Sequence, residues 1–99
     1  WNADHNKAID DKIIELEKSD RVEYIRKNQA QVDYDGNKVG NNRPDIQWNA
    51  DGVHHNYEVD RTMKNSDRHK KVIEKNDPKA VFEYELIEDG LTPFDRIIK

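Results

Sequence analysis

Two short runs of this chain carry residues of the kind that hold hard metal ions, Arg43-Pro44-Asp45-Ile46-Gln47 and Glu58-Val59-Asp60. Between them stands Asn49-Ala50-Asp51-Gly52, a strong turn signal because Gly at the end of an Asn/Asp cluster takes positive φ at little cost. Side chains at i and i+2 of a strand share a face, so Asp45 points with Gln47, and Glu58 with Asp60. Neighbouring strands of a hairpin would then aim three carboxylates at one point. Oxygen ligands from two adjacent strands suit Mg²⁺ or Mn²⁺, and such an ion polarises a phosphodiester and lowers the pKa of an attacking water. Singly, each acid would pass for a solvated residue on a polar strand face. The set is what points to phosphate chemistry, with Asp45, Glu58 and Asp60 as candidate ligands and Gln47 placed to orient water or phosphate.

The elements that must position these residues can be read from the spacing of apolar positions. Ile9, Ile13 and Leu16 recur at i, i+4 and i+7, with Ile14 beside them, which predicts a first helix. Glu17 falls between Ile13 and Ile14 on its wheel, either as a boundary residue whose stem snorkels out or as an acid that reaches a site. Asp20 followed by Glu23 is a capping-box signal and predicts a second helical stretch through about Asn28. Residues 30–34 alternate toward the Asp35-Gly36-Asn37 turn, and residues 38–42 lead into the motif strand, which predicts short strands there. Ile46 and Trp48 oppose Asp45 and Gln47, and Tyr57 and Val59 oppose Glu58 and Asp60, so each motif strand has one apolar and one polar face. Trp48 and Tyr57 are expected in the core or in cross-strand pairs. Asn65-Ser66 can cap a helix carrying Val72 and Ile73, which Asn76-Asp77-Pro78 ends. A last strand is expected over residues 80–87, with Phe82, Tyr84 and Leu86 on one face, and Gly90 and Pro93 break the tail.

A chain of 99 residues makes one domain with a small core. Hydrophobic residues are 33% and charged residues 38% of it, close to disordered composition, but the apolar residues are periodic and so predict a folded domain. Without cysteine there is neither a disulfide framework nor a thiolate zinc site. No apolar run approaches the roughly 20 residues of a membrane span, and the start at Trp1 suggests a piece of a longer polypeptide. The net charge of −4 is unevenly spread: residues 61–75 hold six Lys/Arg against Asp67 and Glu74, a local excess of +4 that leaves −8 on the remainder. That basic segment, directly after the carboxylates, reads either as an ordinary solvated helix face or as a phosphate-guiding flank.

Helix, strands carrying Pro-Asp and then an acid, helix, strand: over residues 9–87 the chain resembles a minimal core of the PD-(D/E)xK, restriction-endonuclease-like, nuclease superfamily. The resemblance implies an α/β fold of order α-β-β-β-α-β, a central mixed sheet flanked by helices, and metal-dependent hydrolysis of DNA or RNA. Asp45 matches the motif Asp, Glu58 the motif acid, and Glu17 is the candidate helix acid joining them at the ion. The family's lysine position is occupied by Asp60, so the nearest substitutes are Lys64 at the strand end and Lys70 on the following helix. The chain also looks similar to C-terminal nuclease modules of bacterial polymorphic toxins, of the contact-dependent-inhibition or Rhs type. That similarity implies delivery into the cytoplasm of a competing bacterium and a cognate immunity protein.

His54-His55-Asn56 invites competing chemistries. An HNH-type metal nuclease needs its histidines and asparagine spread over a hairpin and a helix, whereas three adjacent strand residues alternate faces. A metal-independent ribonuclease could use His54 or His55 with an arginine, because imidazole titrates near neutrality and RNA supplies its own nucleophile. A catalytically silent nucleic-acid-binding module is the third alternative, and divalent-metal titration separates a metal-dependent nuclease from a histidine ribonuclease and from a binding module.

Overall fold

The computed structural model describes residues 3–87; the expected breaks at Gly90 and Pro93 lie outside the described residues. The elements are α1 (Ala3–Glu17), β1 (Val22–Lys27), β2 (Ile46–Ala50), β3 (Val53–Asp60), α2 (Met63–Asn76) and β4 (Val81–Leu86). The fold is α/β, with the expected order α-β-β-β-α-β and one four-stranded mixed sheet, β1-β2-β3-β4, in which only β3 and β4 run parallel.

The β2–β3 hairpin closes on Asp51 and Gly52, at φ 53° and 80°. Positive φ at both central residues is the two-residue turn whose twist matches that of the strands. Asn49 and Ala50, expected within the turn, instead belong to β2 and pair with His54 and Val53. The hairpin is therefore tighter and its strands longer than the Asn/Asp cluster suggests.

One face of the sheet meets α1 in an apolar layer of Ile9, Leu16, Ile46, Trp48, Tyr57, Val59 and Ile87. Lys12 lies over the Trp48 and Tyr57 rings, 5.9 and 5.0 Å from their centroids, so its ammonium caps the layer as a cation–π donor.

The expected helix over residues 20–28 is a correction: this segment is the edge strand β1, antiparallel to β2. The register shifts between Glu23 and Arg26, with Tyr24 at φ 56°. A bulge adds one residue to one strand, so residues three apart come to face the same side. Val22 and Ile25 both pack on the core for this reason, and their spacing imitates a helical period.

The opposite face of the sheet is unusually polar. Gln47, Asn49, His54, Asn56, Glu58 and Asp60 are all buried there, under α2 and the segment joining β1 to β2. Most buried polar groups are hydrogen-bonded; the Asn56 side-chain amide is an exception, while other side-chain amides tie down a long connection that forms only one isolated bridge, Val32 with Lys38, in place of the expected short strands. Gln47 accepts from the Val32 amide at 2.9 Å and donates to the carbonyls of Gln29 and Ala30, both at 3.1 Å. Gln31 donates to the Ile73 carbonyl of α2 and accepts from Asn42 and Asn76.

Gly40 sits against this knot. A Cβ there would strike the side chains of Asn42 and Asn76, which are held by their bonds to Gln31. Gly40→Ala is expected to lower stability by about 1–3 kcal/mol in urea unfolding, the usual cost of forcing atoms into a packed site. An unchanged midpoint would show that the knot is free to shift.

Candidate functional site

The site forms where the chain enters β2. Continuing the β2–β3 register by one residue sets Asp45 opposite Glu58, and side chains take over the ladder there. The Val59 amide donates to Asp45 Oδ2 at 2.8 Å, and the Asp45 amide donates to Glu58 Oε1 at 3.3 Å. This reciprocal pair fixes both carboxylates and leaves Asp60 two residues on along β3, also buried.

Helix α2 brings the fourth group. Its N-cap is Thr62, whose side chain accepts from the Asn65 amide; the expected cap at Asn65-Ser66 lies one turn inside the helix. Ser66 and Ile73 are buried on the sheet-facing side, and His69, three residues after one and four before the other, points the same way. Its Nδ1 stands 3.0 Å from Asp60 Oδ1 and 3.8 Å from Glu58 Oε2. From α1, His5 Nε2 reaches to 3.4 Å from Asp45 Oδ2. Asn42, Arg43 and Val72 complete the wall of a cavity of about 250 Å³ lined by all five of these groups.

Three carboxylates share this small space. Burial, followed by the adjacent charges of Asp45 and Asp60, pushes the Glu58 carboxyl up to about 9, since a buried anion beside other anions favours its protonated form. The arrangement therefore carries an electrostatic deficit that a divalent cation would relieve. Glu58, Asp60 and His69 each offer a ligand atom, all within 4.8 Å of one another. Two ligands about 2.1–2.6 Å from one ion stand at most about 5 Å apart, so the donor set fits a single ion.

The expected site residues divide. Asp45, Glu58 and Asp60 come together. Gln47 does not face the cavity with Asp45: it is fully buried, and both ends of its amide are consumed by the backbone of residues 29–32. Glu17, the expected helix acid, is the exposed last residue of α1, and His5 at the other end of that helix reaches the site instead. Lys64 and Lys70 lie exposed on α2 and do not line the cavity.

The two adjacent histidines part to opposite faces. His54 is buried between Gln47 Oε1 at 2.9 Å and Asn49 Oδ1 at 2.6 Å. Burial pushes its pKa down. His55 stacks on Trp48, centroids 5.1 Å apart, and pairs with Glu83 at 2.9 Å. Both roles are structural contacts, and neither ring lines the carboxylate cavity. A larger hollow of about 480 Å³ opens beside His54, between β1 and residues 32–36. Its polar floor, Asn49 and His54, is spent on internal hydrogen bonds, so it offers less chemistry than the smaller cavity.

His5 and His69 are the groups missing from the sequence reading. Each carried a usable signal: His5 lies four residues before Ile9 on the stripe that α1 buries, and His69 lies four before Ile73 on the stripe that α2 buries.

Comparisons of the chain with protein-family models, with curated proteins and with solved structures find no match.

Proposed function

We propose that this domain is a divalent-metal-dependent phosphodiesterase acting on nucleic acid, with Glu58, Asp60 and His69 as metal ligands and Asp45 beside them. The observation that carries the reading is the Glu58–Asp60–His69 donor set, its two carboxylates buried and its imidazole half-buried, next to a third carboxylate and open to a cavity. The imidazole, absent from the expected all-oxygen set, shifts the preferred ion from Mg²⁺ toward Mn²⁺. A bound divalent ion supplies Lewis-acid polarisation of a phosphoryl oxygen and a water acidic enough to attack near neutral pH.

The protein's own residues do the rest. The Val59 amide holds the Asp45 carboxylate still, and the Asp45 amide does the same for Glu58. Asp60 Oδ1 and His69 Nδ1 stand 3.0 Å apart, side by side as donors to one ion, and the buried carboxylate holds the imidazole at the cavity. His5 and Arg43 line the same cavity and supply hydrogen-bond donors for a phosphate. Asp60, standing where the resemblance expects lysine, thus gains its basic partner from α2 as His69.

Cleavage assays test the reading: plasmid and RNA should be cut in Mn²⁺ or Mg²⁺ and left intact in excess EDTA. Cleavage that ignores the chelator would transfer the activity to a histidine ribonuclease. Binding without cleavage under any metal would make the domain a silent binding module. The toxin role and its immunity partner rest on the sequence resemblance alone, and growth arrest on expression in bacteria, absent with Glu58→Gln, is their test.

Metal binding should also release protons. A Glu58 carboxyl raised to about 9 is protonated at neutral pH and must ionise to bind a cation. Apparent Mn²⁺ affinity should therefore rise about tenfold per pH unit between pH 6 and 8, as calorimetry in buffers of different ionisation enthalpy would show. Affinity independent of pH across that range would place the ion away from Glu58.

A further inference from the structure

The cations of α2 are sorted around the helix, and the sorting has a direction. Successive residues turn by about 100°, so Lys64, Arg68, Lys71 and Lys75 fall within about 60° of one another, in a row next to Val72. Val72 and His69 line the carboxylate cavity, so this row borders its mouth. Asp67 and Glu74 lie on the far side of the helix from Val72. All four cations are exposed, and among the described residues no carboxylate stands within ion-pairing distance of any of them. Arg68 donates to Asn65 at 2.7 Å, which steadies its guanidinium. From Lys64 to Lys75 the row is about 16 Å long, the reach of a few consecutive backbone phosphates. Arg43, exposed on the wall of the same cavity, adds a cation on the connection before β2.

We infer that this row on α2 is the track along which a polynucleotide backbone lies as one of its phosphates enters the Glu58–Asp60–His69 cavity. The inference rests on the phosphodiesterase reading and deepens it by making the preferred substrate a polymer. Cations in a row contact phosphates and carry no base-reading geometry, so docking through the track is independent of sequence. A chain of net charge −4 needs such a local field to attract nucleic acid at all.

The test uses a triple variant, Arg68→Gln, Lys71→Gln and Lys75→Gln, against a control with the same loss of charge at exposed positions outside the row, Lys18→Gln, Lys38→Gln and Lys79→Gln. Binding is read in EDTA with fluorescein-labelled 20-nucleotide DNA and RNA strands, and hydrolysis in Mn²⁺ with bis(p-nitrophenyl) phosphate, which is too small to touch the track. The triple variant should bind the strands at least tenfold more weakly at 0.1 M salt. Its log–log salt slope should be shallower by about 2, at roughly 0.7 per lost contact on single strands, and its hydrolysis of the small ester should be unchanged. The control should keep most of the affinity. Equal losses in the two variants would show that net charge alone is at work and overturn the track, as would a triple variant with wild-type affinity and salt slope. Absence of small-ester hydrolysis in the wild type would instead count against the phosphodiesterase reading, while the binding arm still decides the track.

Discussion

Glu58→Gln should remove metal-dependent cleavage and leave a domain that, metal-free, is at least as stable as the wild type. Loss of a ligand that neutralises the ion and holds it in place forfeits several kcal/mol of transition-state stabilisation, a fall of about a thousandfold or more in rate. Stability should move the other way because Glu58 is buried against Asp45 and Asp60, and its carboxyl is pushed up to about 9. The folded state then holds a proton that the unfolded chain releases near pH 4.5, so wild-type stability falls as pH rises from about 4.5 to about 9. The neutral amide has no such proton to lose. Thermal melts without metal should therefore show the variant gaining on the wild type with rising pH, most clearly at pH 9. A variant less stable than the wild type throughout, or one that still cleaves at wild-type rate, would mean that Glu58 is a structural acid.

Gln47→Leu should be among the most damaging changes in the domain although it touches neither apolar core nor cavity. It strips partners from the Val32 amide, from the Gln29 and Ala30 carbonyls and from the His54 ring, all gathered on one buried amide. Each buried polar group left unpaired costs about 1–3 kcal/mol, and partial rescue by water should hold the sum to about 2–5 kcal/mol. Urea unfolding measures this directly. A loss below about 0.5 kcal/mol would show that water replaces Gln47 and that the connection from β1 to β2 is held mainly elsewhere.

The contrast between these two residues shows what the sequence makes legible. Asp45, Glu58 and Asp60 were readable because a hairpin imposes a two-residue period and a short register, so the spacing of acids along two runs nearly determines their meeting. Gln47 shares that period but not that role, because the segment folding over the sheet lies 15–18 residues away and its grip on the amide is a tertiary contact. The strand at Val22–Lys27 was hidden for a related reason: its bulge at Tyr24 turns two residues of alternation into three, which on paper is a helix. His5 and His69 were legible in position but not in purpose. A histidine on a buried stripe is equally consistent with packing, and only the docking of α1 and α2, on opposite faces of the sheet, brings His5 to Asp45 and His69 to Asp60.

The central claim, that Glu58, Asp60 and His69 hold one divalent ion, is tested most directly by anomalous diffraction from crystals grown or soaked in Mn²⁺. A single strong anomalous peak is expected about 2.1–2.3 Å from a carboxylate oxygen of Glu58, one of Asp60 and Nδ1 of His69, vanishing in the Glu58→Gln protein. Saturating Mn²⁺ with no peak in that cavity, or a peak persisting there in the variant, would contradict it.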